Sequence, residues 1–162
     1  MSEVQAHSRA LVLASLVAAL FLTILPMPDG TSEFRPQWVA LVLIYWCLNA
    51  PRHTGVFWAF GTGIVVDVLS GSVLGQHALT LSVVGYLAVE LHQRILPFPL
   101  WQQAVSVWLL LLVERLLSLW ILGATGQPAP ALIYWMPTFA GMLLWPGLSI
   151  VLNNLRARFE EA

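Results

Sequence analysis

Apolar residues fall into six runs, at about 10–26, 37–50, 55–70, 77–93, 101–122 and 131–153, separated by short polar or proline-bearing breaks. Runs of this length and continuity predict helices lying in hydrocarbon. Several are shorter than the roughly 20 residues that span a bilayer comfortably, so flanking residues extend them or the bilayer thins locally. The second, QWVALVLIYWCLNA, is the shortest. The first, LVLASLVAALFLTILP, runs into PMPDG with no small-residue cleavage site, and further apolar runs follow it. It reads as an uncleaved first helix rather than a signal peptide. Prolines in NAPRH (49–53) and LPFP (96–99) end helices at tight turns. No stretch is left over for a soluble domain. The fold predicted for 1–162 is a single all-α integral membrane domain, a bundle of six transmembrane helices.

Composition agrees with the pattern. With 59% hydrophobic and 9% charged residues, the chain cannot cover a soluble surface. All seven basic residues are arginines, and their placement predicts orientation. Arg9 precedes the first run, Arg52 separates the second from the third, Arg94 the fourth from the fifth, and Arg156 and Arg158 follow the sixth. Arg35, near Asp29 and Glu33, stands alone on the other side. This bias places both termini in the cytoplasm. A net charge of -1 and the lack of a basic tract argue against a nucleic-acid partner. The single cysteine, Cys47, allows no intrachain disulfide. Of eight tryptophans, Trp38, Trp120 and Trp135 fall near the outer interface and Trp58 and Trp101 near the inner one, as anchoring belts do.

The stretch GTGIVVDVLSGSVLG (61–75) carries the least expected residue, Asp67, within an apolar run. Ala59, Gly63, Asp67, Gly71 and Gly75 recur every four residues, a row of small or polar residues that drifts by about 40° per step on a helix, so that Gly63, Asp67 and Gly71 share a face suited to close packing if the helix persists that far. Gly71 and Gly75 also suit a turn between the third and fourth helices. A buried carboxylate needs a partner. Asp67 lies about 18 Å from the inner end of its helix and Arg115 about 21 Å from the inner end of the fifth, at 1.5 Å per residue. These matched depths predict an Asp67–Arg115 ion pair, either purely structural or coupled to a bound partner. Glu114 lies about 100° around the helix from Arg115, and so is expected to find another partner: water, His77 or a second protein. Glu90 and Arg94, at i and i+4, predict an interfacial salt bridge of small value. Pro137 and Pro146 predict bends in the sixth helix.

Catalytic patterns are missing from the sequence. The four histidines are scattered, no His/Cys metal motif occurs, and no second intramembrane aspartate accompanies Asp67. Ser70 and Ser72 have no evident base in the sequence. The expectation is a non-enzyme with no cofactor.

Four stretches carry a resemblance: RPQWVALVLIYW (35–46), GIVVDVLSGSVLGQHAL (63–79), LWQQ (100–103) and LLWP (143–146). Together they resemble the rod shape-determining protein MreD family over nearly the whole chain. The second stretch is the most specific, with a glycine, an aspartate four later, a glycine four further on, then Leu-Gly and Ala-Leu. The resemblance implies a non-catalytic component of the bacterial cytoplasmic membrane that works in cell elongation. It implies MreC as direct partner, with MreB, RodA and a penicillin-binding transpeptidase acting in the same lateral wall synthesis. It also implies a six-helix fold similar to the S components of energy-coupling factor transporters. That similarity supplies the alternative function, a vitamin-type small-molecule binding subunit of a transporter. One departure is the C-terminus, RARFEEA, where acidic residues offset the arginines that a cytoplasmic partner would meet.

Overall fold

The computed structural model describes residues 2–30, 37–52, 54–128 and 130–161, with side chains from His7 onward. Arg35 and Glu33 of the expected outer loop lie outside the described residues. Six α-helices run in chain order among the described residues: α1 (Ser2–Ile24), α2 (Trp38–Asn49), α3 (Val56–Ser70), α4 (Gln76–Ile95), α5 (Leu100–Ala124) and α6 (Met136–Glu161). A 3-10 turn, Leu132–Trp135, leads into α6. Three stretches are long and apolar enough to cross a membrane: His7–Ile24, Leu100–Ala124 and Leu132–Glu161. The apolar helices α2 and α3 are shorter, and α4 carries Gln, His, Glu and Arg toward its ends.

The apolar runs locate the helices but not all of their ends. α1 starts several residues before its run and α6 continues beyond residue 153. Hydropathy marks only where hydrocarbon would be. Nothing in SEVQAHSR or LRARFEE breaks a helix, so the hydrogen-bond ladder continues into polar sequence. An Arg156 Nε to Glu160 Oε1 contact of 3.1 Å supports the last turns of α6.

The shortest helix is the centre of the molecule. Every residue of α2 from Val39 to Leu48 is buried. A helix that is apolar all round belongs inside a bundle. α1, α4 and α6 all pack on it, and α5 touches it as well. Val12, Leu16 and Ala19 form the buried stripe of α1. Polar ties fix the register: Trp46 Nε1 donates to Ser15 Oγ at 2.7 Å, and Tyr45 Oη donates to Asn153 Oδ1. Thr54 returns after the turn to donate to the carbonyls of Trp46 and Ala50, both at 2.9 Å, covering the C-terminal end of α2.

α3 and α4 make the most intimate pair. A Cβ on Gly63 would meet the carbonyl carbon of His77 at 2.6 Å, and one on Gly85 would meet Ala59 Cβ at 2.9 Å. The small face of α3 therefore lets two backbones nearly touch at Gly63. The face stops there. Gly71 caps the C-terminus of α3 at φ 65°, Gly75 precedes α4 at φ 98°, and neither has an atom within 4 Å of its Cβ position. Both glycines serve the turn, because left-handed backbone strains any other residue. Pro137 also departs from expectation. It is the second residue of α6, where a missing N–H costs nothing, so it starts the helix instead of bending it. Pro146 lies inside α6, and the helix continues through it.

Candidate binding site at one end of the bundle

The end of the bundle where α1, α3 and α5 finish and α2, α4 and α6 begin holds a half-open cavity of about 550 Å³. Two buried carboxylates sit at this end, on different helices. Asp67 is 1% exposed and Glu114 is 4% exposed.

Asp67 is one turn from the end of α3. The Gly71–Gly75 turn brings the first turn of α4 over its carboxylate. Gly75 N donates to Oδ2 at 2.9 Å, His77 N to Oδ1 at 2.9 Å, and Ser72 Oγ to Oδ1 at 2.8 Å. His77 Nδ1 lies 2.8 Å from Oδ1, and Ala78 N is 3.4 Å from Oδ2. The residue at the N-cap position of α4 is Gly75, which has no side chain to cap with. Asp67 supplies the cap from the neighbouring helix. It satisfies amides that open α4 and places negative charge at the positive end of the helix dipole.

The expected Asp67–Arg115 pair is not formed. α4 packs between α3 and α5, and its N-terminus takes up the carboxylate. Arg115 instead lays its guanidinium over the Tyr134 ring, 4.5 Å from the centroid, with Nε 3.9 Å from Glu114 Oε2. Glu114 and Arg115 line the same cavity despite their angular separation, because the long arginine side chain spans the gap. The other partners of Glu114 are Gln37, whose Nε2 donates to Oε2, and Ser118, whose Oγ donates to Oε1 at 3.1 Å. The expected Glu90–Arg94 bridge is also absent. Both side chains are exposed, and no ion pair joins them, whereas Arg115 lies beside Glu114 and Arg156 pairs with Glu160.

Two polar atoms at the cavity are left over. Gln37 Oε1 and Arg115 Nε are buried without a hydrogen-bond partner. Buried polar groups are normally satisfied, so an acceptor and a donor left open beside a cavity mark where a bound group would go. His77 also lines the wall, its Nδ1 engaged by Asp67. Sequence reasoning singles out Asp67, Glu114 and Arg115, but assigns no role to Gln37, Ser118 or Tyr134. Gln37 opens the most apolar helix, and a lone polar residue at that place is the available signal.

The profile of the rod shape-determining protein MreD family matches residues 5–155. The chain is 32% identical over 152 residues to the rod shape-determining protein MreD of Haemophilus influenzae, covering 92% of each chain. No solved structure matches it.

Proposed function

The chain belongs to the rod shape-determining protein MreD family, and from that premise we propose that it is a non-catalytic, multi-pass inner-membrane component of the bacterial cell-elongation machinery. In this reading it binds MreC directly. Through MreC it supports the RodA–transpeptidase complex and works with MreB in lateral peptidoglycan synthesis. The observation that carries the reading is the extent of the family match, which takes in nearly every helix rather than one motif.

The proposed topology has six crossings with both termini cytoplasmic. The arginine distribution supports it. So does the bundle, in which the short α2 is wrapped by other helices and its polar ends meet protein groups rather than lipid. An apolar groove of about 490 Å³ between α1 and α3, lined by Leu13, Val17, Phe57 and Gly61, supports a role as a helix-binding scaffold. The space above Gly61 is open, so a single transmembrane helix can approach the backbone there. A fold similar to energy-coupling factor S components remains part of the proposal. The vitamin-transport function drawn from it is not favoured, since the family match is to a shape-determining protein.

The test is complementation. Rod-shaped cells depleted of their own family member are expected to regain rod shape when this chain is expressed, and to lose co-purification of MreC when Gly61→Phe fills the groove. Persistently round cells, with the protein present in the membrane, would reject the elongation role. Labelling of cysteines placed at residues 29 and 157 checks topology, with only the first reachable from outside the inner membrane.

A further inference from the structure

The cavity holds more chemistry than a scaffold requires. On one side, the Glu114 carboxylate and Gln37 Oε1 present acceptors. Gln37 must turn its NH2 toward Glu114, because a carboxylate only accepts, and this leaves its carbonyl oxygen open. On the other side, Arg115 presents a buried Nε with no hydrogen-bond partner, while the Tyr134 ring holds its guanidinium in place. Glu114 and Arg115 are of opposite charge and 3.9 Å apart, so the pair is neutral together. A ligand of net charge would leave one charge uncompensated in a buried place. The complementary ligand is net neutral. It carries a cation rich in N–H donors for the acceptors and an anion for the arginine, separated by a short link.

We infer that this cavity binds phosphoethanolamine chemistry, with the ammonium on Glu114 and Gln37 Oε1 and the phosphate on Arg115, and that its source is an aminophospholipid headgroup. Location argues for the lipid. The mouth of the cavity is built from helix ends, with Thr23 near the end of α1, Gln37 at the start of α2 and Ser70 at the end of α3, and Glu114 and Arg115 line it about 15 Å back from the end of α5. In a bundle that crosses a bilayer, helix ends lie at headgroup depth. A volume of about 550 Å³ admits a headgroup with part of its glycerol. Choline lacks N–H donors, and a glycerol headgroup lacks a cation to set against its phosphate. The site therefore discriminates among common phospholipids by hydrogen bonding and charge, not by size.

This inference goes beyond the elongation role and does not depend on it. It needs the bundle to cross the bilayer, which cysteine labelling checks separately. The experiment takes the full-length protein from nanodiscs of equal phosphatidylethanolamine, phosphatidylcholine and phosphatidylglycerol into mild detergent and counts retained lipids by native mass spectrometry. Phosphatidylethanolamine is expected to be retained at least about tenfold over either competitor, the discrimination that one charge-assisted hydrogen bond provides. Glu114→Gln and Arg115→Met are expected to erase that preference, while Glu90→Gln keeps it. If one variant fails to fold, the other still reports whether the preference belongs to this cavity. Equal retention of the three lipids overturns the inference, as does a preference that survives both site substitutions. So does a site that retains no lipid but whose Glu114→Gln variant loses a protein partner. Soluble glycerophosphoethanolamine separates the sources: displacement of the lipid shows that the headgroup alone is read, and failure to displace it shows that the membrane-anchored form is required.

Discussion

Asp67 and Glu114 are both buried carboxylates at the same end of the bundle, yet they are held in opposite ways. Asp67 is surrounded by donors from one continuous segment, Ser72 to Ala78, and no polar atom in its shell is left open. Glu114 is held by Gln37, just before α2, and Ser118 from its own helix, with Arg115 beyond hydrogen-bond range, and two of the surrounding polar atoms have no partner. A carboxylate that completes a helix terminus is structural, because its shell closes through the fold itself. One whose shell closes only partly, beside a cavity, is available to something else. Burial alone does not separate the two cases; satisfaction of the neighbouring groups does.

The largest expected effect falls on the closed shell. Asp67→Ala leaves the amides of Gly75 and His77 and the Ser72 hydroxyl without their acceptor. The donors are half-buried, so each loss reaches at most about 1–3 kcal/mol, and the bundle should be destabilised by about 3 kcal/mol. Thermal unfolding in detergent checks this. Asp67→Asn keeps one acceptor oxygen and should lie between the wild type and the alanine variant. Reversing both charges, with Asp67→Arg and Arg115→Asp together, should rescue nothing, because the two residues hold different elements. A double reversal more stable than either single one would restore the direct pair and break the comparison.

Next comes the close approach that puts Asp67 over α4. Gly63→Ala drives a methyl group into the backbone at His77 and Ala78, which cannot yield as a side chain would. Overpacking of this kind costs about 1–3 kcal/mol. It should also displace the start of α4 from Asp67, so combining Gly63→Ala with Asp67→Ala should destabilise by less than the sum of the two. Strict additivity of their unfolding free energies would show that the cap and the close approach are independent.

How much of this is legible in the chain depends on the range of the interaction. The six runs mark where the six helices lie, since hydrophobic length is a local property. The four-residue spacing of Ala59 and Gly63 is likewise readable, because it is fixed by helix geometry. Matching depths does not find the partner of Asp67, since depth says nothing about which helix stands between. The turn holds the better signal. With Gly71 as the left-handed end of α3, Ser72 and His77 fall five and ten residues beyond Asp67, on the far side of a tight reversal. Pro137 misleads for the same reason: its effect depends on where the helix starts, which hydropathy does not mark. Gln37 meeting Glu114 from 77 residues away in sequence is purely tertiary.

On the open shell the expected stability effect is smaller. Glu114→Gln keeps an acceptor for either Gln37 or Ser118 and removes the partner charge from Arg115, whose guanidinium still rests on Tyr134. The cost should be no more than about 1–2 kcal/mol, in the range of one charged hydrogen bond. An unfolding midpoint depressed as far as in Asp67→Ala would make Glu114 a structural carboxylate of the same kind and erase the distinction.

The smallest effect belongs to a carboxylate with no shell. Glu90 sits toward the opposite end of α4, exposed, with Arg94 one turn further on and no ion pair between them. The two side chains are spaced for a bridge. In solvent, however, two long side chains gain little from being held in one geometry, and salt screens what they gain. Glu90→Gln and Arg94→Gln should therefore leave the unfolding midpoint unchanged at any ionic strength. A midpoint that falls in both variants, and falls less in high salt, would mean that a bridge forms in the membrane interface. Spacing along a helix would then be enough to pair charges there, and the unsatisfied atoms at Glu114 would lose their value as the mark that sets a site apart from a strut.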